Sequence, residues 1–213
     1  VGAARDAPFS VAAYRRALDA CRRAFVPPWT ASVWGGADVR LGDTLGYAPV
    51  ATSTQTLLED ARLQAALPSG AVLLATHQVA GRGRGRNRWI SPAGCLQFSA
   101  LWRQPLRMAP RMVFVQYLAA LAMVVGLEHA FGPAVRGRLR IKWPNDVYAQ
   151  VESGSASSAP SAGIVRTVDG VPRTFAKVGG ALVNAATHGS DLAMVIGCGI
   201  NCVNTLPTLS VAH

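Results

Sequence analysis

The chain has 213 residues, a length that suits one domain or one domain with a small appendage. Half of the residues are hydrophobic, so a sizeable core can form, which excludes a chain too polar to fold. The formal net charge of +10 predicts an anionic partner, without choosing among nucleic acid, a nucleotide and an acidic protein surface.

The first fifty residues contain one clearly predicted element. Ser10 suits the N-cap of an amphipathic helix over residues 10–25, and Pro27 and Pro28 follow its end. A strand at 38–41 is a second expectation. No secretory signal is visible and the four cysteines form no CxxC pair, so we expect reduced, buried thiols in a cytoplasmic protein.

Two neighbouring stretches suggest a ligand site. Ser53 begins a helix-like run, which either is an ordinary cap or presents a polar helix N-terminus to a ligand. A buried strand predicted at Ala71–Val79 then leads into the loop Gly81–Trp89, in which glycines alternate with arginines. Glycines allow backbone N–H groups close to a ligand, and arginines suit phosphate or carboxylate. An anion and nucleotide clamp, a solvated turn and an RNA-binding segment all fit this pattern, whereas dinucleotide and P-loop spacings are missing.

The central part of the chain alternates strand and helix signals. Cys95–Trp102 reads as a strand, and Met112–Leu127 as a core helix that is too short to span a membrane. Lys142–Tyr148 has the sequence KWPNDVY at a predicted strand end. That combination suits a phosphate and metal contact, or an ordinary strand-to-turn junction.

The last third contains a hairpin signal between two apolar strands. Residues 150–162 are rich in Ser, Ala and Gly and predict a flexible excursion, and Asp169-Gly170 predicts a two-residue turn between strands at 163–168 and 171–176. Lys177 then begins a new apolar strand, in which Gly179 and Gly180 follow the lysine. The final strand, Val195–Asn201, contains two glycines, Gly197 and Gly199. Either the close approach of a ligand or a bulge in a core strand would explain them.

In this order, the motifs GRGRG…W, KWPND, K-x-GG-x-L-V and IGxGIN resemble the biotin protein ligase family. The detail GRGRG-x-N-x-W-x-SP-x-GC is similar to its eukaryotic, holocarboxylase-synthetase-type members. The resemblance implies an α+β fold with a mixed, largely antiparallel sheet flanked by helices, as in class II aminoacyl-tRNA synthetases. It divides the chain into an N-terminal extension, 1–50, and a catalytic domain, 51–213, with an insertion at 149–176 and without the family's small C-terminal β-barrel.

The activity implied by this resemblance is a two-step ligation. Biotin and Mg-ATP give biotinyl-5′-AMP and pyrophosphate, and the biotinyl group then passes to a lysine of a carboxylase's biotin-carrier domain. A lipoate or octanoate ligase on the same core is the alternative, against which the KWPND and GRGRG…W motifs speak. Nucleic acid is disfavoured because aromatic and basic residues do not interleave outside the loop. No membrane partner is expected.

The resemblance also assigns roles by position. Candidate biotin contacts cluster around the loop and the lysine strand: Ser53, Thr54, Gln55, Gln78, Gly81, Arg82, Gly83, Arg84, Lys177 and Gly180. Candidate ATP contacts are Asn87, Trp89, Lys142, Asn145, Asp146 and Asn201. Lys177 and Arg84 are the candidate catalytic residues, and Asp146 is the candidate Mg²⁺ ligand. Residues 161–165 mimic a family strand, but no lysine is available there, so the lysine role is assigned to Lys177.

Overall fold

A computed structural model describes residues 9–25, 41–151 and 163–204 of the chain. Residues 38–40 of the predicted strand at 38–41 and residues 152–162 of the predicted excursion lie outside the described residues. Residues 150 and 151, also assigned to the excursion, belong to a strand.

The helices are short except for two. Within the described residues they are α1 (Val11–Phe25), α2 (Thr54–Leu58), α3 (Ala61–Ala66) and α4 (Met112–Phe131). Turns of 3₁₀ helix at Leu106–Arg111 and Gly132–Ala134 flank α4. The predicted helix after Ser53 is therefore two helices, separated where Asp60 caps the second one through the backbone N–H groups of Arg62 and Leu63.

Most strands belong to one sheet. They are β1 (Leu45–Ala51), β2 (Val72–Gln78), β3 (Gly81–Arg82), β4 (Arg88–Trp89), β5 (Cys95–Pro105), β6 (Leu139–Lys142), β7 (Asp146–Val151), β8 (Ile164–Val168), β9 (Val171–His188) and β10 (Asp191–Asn201). The described sheet has the order β1-β2-β5-β10-β9-β7-β6, with β8 paired to β9, while β3 and β4 form a separate small hairpin. Only the β1–β2 pairing of this sheet is parallel, which confirms the mixed, largely antiparallel prediction.

The two faces of the sheet carry different helices. α4 covers one face, where Met123 and Leu127 pack against Val147, Val178 and other buried apolar side chains. α2 covers the opposite face, where Leu58 packs against Leu101 and Val195. Side chains alternate between the two faces along a strand. Polar residues of β5 and β10 that lie on the same face as Leu101 and Val195 therefore face α2 rather than α4.

The apolar helix α4 is buried on one side only. Only Ala120, Met123 and Leu127 are buried, while Phe114 and Leu118 are 59% exposed. The stretch Leu106–Ala134 is long and apolar enough, by length and composition alone, to cross a membrane. The predicted core helix is confirmed on the side of Met123 and Leu127, which belong to the core. Its sequence did not indicate which side meets the sheet, because the helix is apolar all round.

The hairpin prediction was correct in its turn and incomplete in its strands. Asp169 and Gly170 both have positive φ, 51° and 77°, as a two-residue type I′ turn requires. The second strand, however, does not end at residue 176. It continues as β9 through Lys177 to His188, so the hairpin and the lysine strand are one element.

The helix α1 is anchored to the turn before the sheet. The Ser10 hydroxyl accepts a hydrogen bond from the Ala13 N–H at 3.2 Å, which confirms the predicted cap. Tyr14 donates to the Gly42 carbonyl, and Arg22 forms an ion pair with Asp43 at 2.6 Å.

Candidate active site

One open cavity of about 260 Å³ lies on the α2 face of the sheet and gathers most of the predicted site residues. Fourteen of the sixteen different predicted positions line it: Ser53, Thr54, Gln55, Gln78, Arg82, Gly83, Arg84, Asn87, Trp89, Lys142, Asn145, Asp146, Lys177 and Gly180. Gly81 and Asn201 do not line it. Five separate segments therefore converge on one site.

The floor of the cavity is a buried network of uncharged polar groups. Gln78 Oε1 accepts hydrogen bonds from the backbone N–H of Thr54 at 2.7 Å and from its hydroxyl at 3.2 Å. The Thr54 hydroxyl lies 2.9 Å from that of Ser99, which donates to Gln55 Oε1 at 3.3 Å. These four side chains are at most 8% exposed. Polar groups buried this deeply and fixed by one another suit recognition of an uncharged polar ring.

A β-bulge brings the key lysine and a glycine to the same face. Tyr148 pairs with Lys177 and Asp146 pairs with Gly180, so Val178 is an extra residue in β9. Without it, positions 177 and 180 would point to opposite faces, because side chains alternate along a strand. The bulge therefore lets both residues share the cavity while Val178 remains fully buried in the core under α4.

The charged centre of the site is an ion pair across this bulge. Lys177 Nζ lies 2.7 Å from Asp146 Oδ1. Lys142 is the residue opposite Asp146 in the strand register of β6 and β7. A Cβ placed on Gly180 would lie 3.2 Å from Asp146 Oδ1 and 3.6 Å from Lys177 Cε. The glycine thus leaves space beside the ion pair for an incoming group.

Asn145 has a structural anchor at the edge of the cavity. Its side-chain amide donates to the Ala181 carbonyl at 2.7 Å, and the Ala181 N–H donates to the Asn145 carbonyl at 2.9 Å. These two bonds hold the turn between β6 and β7 against β9. The position of Lys142 and Asp146 relative to Lys177 is therefore fixed by backbone contacts as well as by charge.

The glycine-arginine loop forms a small hairpin over the site. Gly83 N–H donates to the Asn87 carbonyl at 2.9 Å, and Gly85 takes a positive φ of 62° at the tip. Arg82 pairs with Glu59 at 2.5 Å, whereas Arg84 has no ion pair among the described residues and lines the cavity. Among the loop arginines that line the cavity, Arg82 is therefore neutralised, whereas Arg84 and Arg88 have no ion pair within the described residues.

The glycines of the last strand accommodate protein side chains. A Cβ on Gly197 would lie 2.3 Å from Gln55 Oε1, and one on Gly199 would lie 2.6 Å from Trp89 Cε2. The close approach that these glycines predicted is thus made by Gln55 and Trp89. Trp89 Nε1 is buried without a hydrogen-bond partner among the described residues, which leaves a donor for a ligand.

The electrostatics of the cavity favour anions. Its described lining contains five cationic side chains, those of Arg82, Arg84, Arg88, Lys142 and Lys177, and one carboxylate, that of Asp146. No group of three metal-ligating side chains occurs among the described residues. The site is therefore built to hold negative charge rather than to bind a metal ion on its own.

A nucleophilic cysteine is excluded from this chemistry at neutral pH. Cys198 lines the cavity, and burial raises the pKa of its thiol to about 12, so it stays protonated. Cys95 is also buried, and burial raises the pKa of that thiol to about 12. All cysteines in the described residues are free, as predicted, but Cys21 is exposed rather than buried.

Two predicted residues lie outside the cavity for clear reasons. Gly81 pairs with Trp89 in the small hairpin, and a Cβ there would lie 2.5 Å from the Trp89 carbonyl oxygen. Asn201 is 4% exposed, and its side-chain oxygen accepts from the Cys95 thiol at 3.2 Å. Both residues shape the surroundings of Trp89 and the strand end rather than the cavity wall.

Among the residues that sequence reasoning missed, Glu59 and Ser99 hold the polar floor together. Glu59 accepts from Gln55 Nε2 at 3.0 Å and from Asn184 Nδ2 at 2.5 Å while it pairs with Arg82, so it connects the floor to the loop. Its position at the end of a short helix offered no signal. Ser99 lies in a strand that was predicted from the alternation of polar and apolar residues. That alternation places Ser99 on the same face as Gln97, but it does not show which face carries the site.

The sequence matches known proteins along most of its length. Residues 47–201 match the biotin/lipoate A/B protein ligase family. A biotin–protein ligase of Schizosaccharomyces pombe is 38% identical over 181 residues, which are 81% of this chain and 26% of that protein. The human biotin–protein ligase is 32% identical over 175 residues, 81% of this chain and 21% of that protein. The chain thus spans about a quarter of the length of these curated relatives.

Solved structures show the same fold. A biotin protein ligase from Leishmania major in complex with biotinyl-5-AMP superposes with a TM-score of 0.53 at 21% identity, covering 80% of this chain and 64% of that chain. A mutant biotin protein ligase from Aquifex aeolicus in complex with biotin gives a TM-score of 0.50 at 25% identity, covering 76% of this chain and 53% of that chain.

Proposed function

The chain belongs to the biotin/lipoate A/B protein ligase family, and we propose that it joins biotin to a lysine of a carboxylase's biotin-carrier domain through biotinyl-5′-AMP. The observation that carries this proposal is that the Lys177–Asp146 pair shares one cavity with an uncharged polar network and with the cationic side chains of Arg84 and Lys142. The polar network suits an uncharged ring, and the cations suit phosphates.

In the first step, a carboxylate oxygen of biotin attacks the α-phosphorus of ATP. The new oxygen–phosphorus bond forms as the bond to pyrophosphate breaks, so two anions must approach each other closely. Lys177 and Arg84 would offset that repulsion, and their effect is larger in a partly desolvated site than in water. No side-chain nucleophile is needed, because the reacting groups all belong to the substrates.

The other residues would position these substrates. Ser53, Thr54, Gln55 and Gln78 suit the ureido ring of biotin, with Arg82, Gly83 and Gly180 beside it. Asn87, Trp89, Lys142 and Asn145 suit the nucleotide. Gly81 and Asn201, which do not line the cavity, would act on the same ligands by supporting Trp89 and the end of β10.

Magnesium would arrive with the nucleotide. Mg²⁺ is commonly held by one or two carboxylates together with substrate phosphates, and Asp146 is the one carboxylate among the described lining residues. The donor set therefore fits a metal that is bound mainly by ATP, with Asp146 as its protein ligand. When bound, the ion would neutralise charge on the phosphates.

In the second step, the acceptor lysine attacks the acyl carbon of biotinyl-5′-AMP. An amide bond forms, AMP leaves and the amine releases a proton. This step requires a protein substrate to reach the mouth of the cavity. We propose that the chain meets this substrate in the cytoplasm, a compartment that suits its free thiols. We also propose that residues 51–213 form the catalytic unit and 1–50 an extension; β1, at Leu45–Ala51, nevertheless already pairs with β2 in the main sheet.

Isotope exchange between pyrophosphate and ATP tests the first step directly. Exchange should require biotin, and lipoate at the same concentration should support at most about a tenth of the rate, because the polar floor is built to hydrogen-bond a ring that lipoate lacks. Exchange supported equally by lipoate would favour the lipoate ligase alternative. Exchange with neither acid would contradict the proposed function.

A further inference from the structure

A second groove lies beside the proposed active site on the same face of the sheet. Its rim is formed by Arg140 and Lys142 of β6 and by Arg166 of β8. The strands β7 and β9 lie between β6 and β8. Its floor includes Tyr148 of β7 and Phe175 of β9. None of the functions assigned above uses this groove, although Lys142 lines both it and the active-site cavity.

The rim cations have no carboxylate partner among the described residues. Arg140 donates to the backbone carbonyls of Gly137 and Leu139, both at 2.7 Å, and Arg166 donates to that of Val165 at 2.9 Å. Lys142 Nζ lies 5.4 Å from the centre of the Tyr148 ring. The described lining of the groove contains no Asp or Glu. An occupant with negative charge would therefore meet three cations that form no ion pair with a carboxylate among the described residues.

The floor of the groove is apolar. Ile164 and Val168 of β8 line it together with the two aromatic residues, and the strand register places Ile164 opposite Phe175. An occupant that fits must therefore combine apolar side chains for the floor with carboxylates for the rim. A short acidic polypeptide segment has both.

Nucleic acid fits the same groove less well. Binding of single strands depends on exposed aromatic rings on which bases stack. Tyr148 is 7% exposed and Phe175 is 3% exposed, so neither ring offers a free face. The rim charge is shared by both kinds of partner, but the accessible part of the floor is the aliphatic Ile164 and Val168, which favour apolar polypeptide side chains over bases.

We propose that this groove, rimmed by Arg140, Lys142 and Arg166, docks an acidic segment of the acceptor protein during the second step of the reaction. This inference rests on the proposed function, because that step brings a protein lysine to the adjacent cavity. Lys142 belongs to both sites, so a segment bound in the groove lies at the nucleotide end of the cavity. Charge at the rim would act mainly on the rate of encounter and on its salt dependence.

Reversing two rim charges tests the proposal without touching the active site. The variant is Arg140→Glu/Arg166→Glu, and the milder Arg140→Gln/Arg166→Gln controls for damage to the strands. The matched control is Arg15→Glu/Arg16→Glu, which makes the same change in net charge on exposed positions of α1. Thermal unfolding of each variant verifies that it is folded.

Two readouts separate docking from chemistry. The first is the affinity for the unbiotinylated biotin-carrier domain of acetyl-CoA carboxylase, immobilised and titrated with the full chain. The second is biotin-dependent pyrophosphate exchange, which involves no protein substrate. The charge-reversed variant should bind the carrier about tenfold or more weakly, with a flatter salt dependence, and exchange at the wild-type rate. The Gln variant should show an intermediate affinity, and the α1 control should match the wild type in both.

Other outcomes would overturn the proposal. Carrier affinity equal to that of the α1 control, or no carrier binding by the wild-type chain, would show that the groove is not the docking surface. Loss of binding to a single-stranded oligouridylate with unchanged carrier affinity would identify a nucleic-acid surface instead. Failure of the proposed function would be visible separately, as absence of biotin-dependent exchange in the wild-type chain, and the docking proposal would fall with it.

Discussion

At the scale of single residues, the proposed first step places its greatest electrostatic demand on Lys177. Replacing it with alanine should lower biotin-dependent pyrophosphate exchange by about 10²–10³-fold, the usual cost of removing one preorganised electrostatic contact. The fold should persist, because the Lys177–Asp146 pair is partly solvated and such pairs contribute little to stability. Exchange kinetics together with thermal unfolding measure both effects.

Two further variants give this prediction its controls. Lys177→Arg should restore only part of the rate, since the planar guanidinium is larger and its hydrogen bonds point differently. Lys142→Ala should mainly raise the KM for ATP, because Lys142 is the residue that we propose to contact the nucleotide. Wild-type exchange by Lys177→Ala would show that another cation performs this role.

We predict that glycine is required at position 180 because a larger side chain would crowd the ion pair, not because the backbone needs conformational freedom. Gly180→Ala would place a methyl group 3.2 Å from Asp146 Oδ1, tight enough to shift the ion pair. We expect adenylation to fall by roughly tenfold to a hundredfold, as small displacements of reacting groups commonly cause. The matched control is Gly126→Ala in α4, where the added Cβ meets nothing within 4 Å, and which should leave exchange unchanged. Equal rates for the two variants would refute the steric argument.

The buried thiols should be silent at neutral pH. Burial holds the pKa of Cys198 and of Cys95 at about 12, so their thiolate fraction is negligible at pH 8. In the native protein, a thiol reagent should label exposed Cys21 first and leave these two unlabelled until urea is added. Cys198 labelling as fast as Cys21 in the native state would contradict the assigned burial.

Residues in distinctive motifs were the ones that the sequence could place. Lys177 and Asp146 stand beside glycines and in a KWPND run, and the structure brings them to 2.7 Å. Glu59 and Ser99 have no such local pattern, because their importance comes from neighbours that are distant in sequence. Asn201 carried a motif signal, yet the fold directs its side chain to Cys95.

At the scale of elements, the glycine-arginine hairpin between β3 and β4 should close over ligands. It has few apolar anchors before Trp89, and Arg84 and Arg86 are exposed. Trypsin should therefore cleave at these arginines in the free protein and much more slowly with biotin and ATP present. Cleavage at Arg15 and Arg16 in α1 serves as the internal control and should not change. Equal protection of both regions, or of neither, would argue against closure.

Elements were predictable wherever local chemistry determined them. The turn at Asp169-Gly170 and the cap at Ser10 depend on a few adjacent residues, and both were correct. The continuity of β9 was missed because the bulge at Val178 is specified by pairing with β7, which no local pattern reveals. The exposure of one side of α4 was missed for the same kind of reason, since it depends on what packs against the helix.

At the scale of the whole molecule, one face of the sheet contributes to the core and the opposite face carries the candidate site. One face is buried under α4 through Met123 and Leu127, while the other carries α2, the cavity and the loop. The bulge in β9 connects the two faces, since it directs Val178 into the core and Lys177 into the cavity. The order of motifs along the chain predicted this architecture through a family resemblance, whereas composition and periodicity alone would not have selected it.

Calorimetric titration of biotin into the full chain, with and without ATP and Mg²⁺, tests most directly whether one cavity holds both substrates. Biotin alone should bind saturably with one molecule per chain, because the polar floor is preformed. With ATP and Mg²⁺ present, the apparent affinity should rise and pyrophosphate should appear, because the adenylate occupies both ends of the cavity at once. Identical isotherms in the two conditions, or no saturable heat with biotin, would contradict the account.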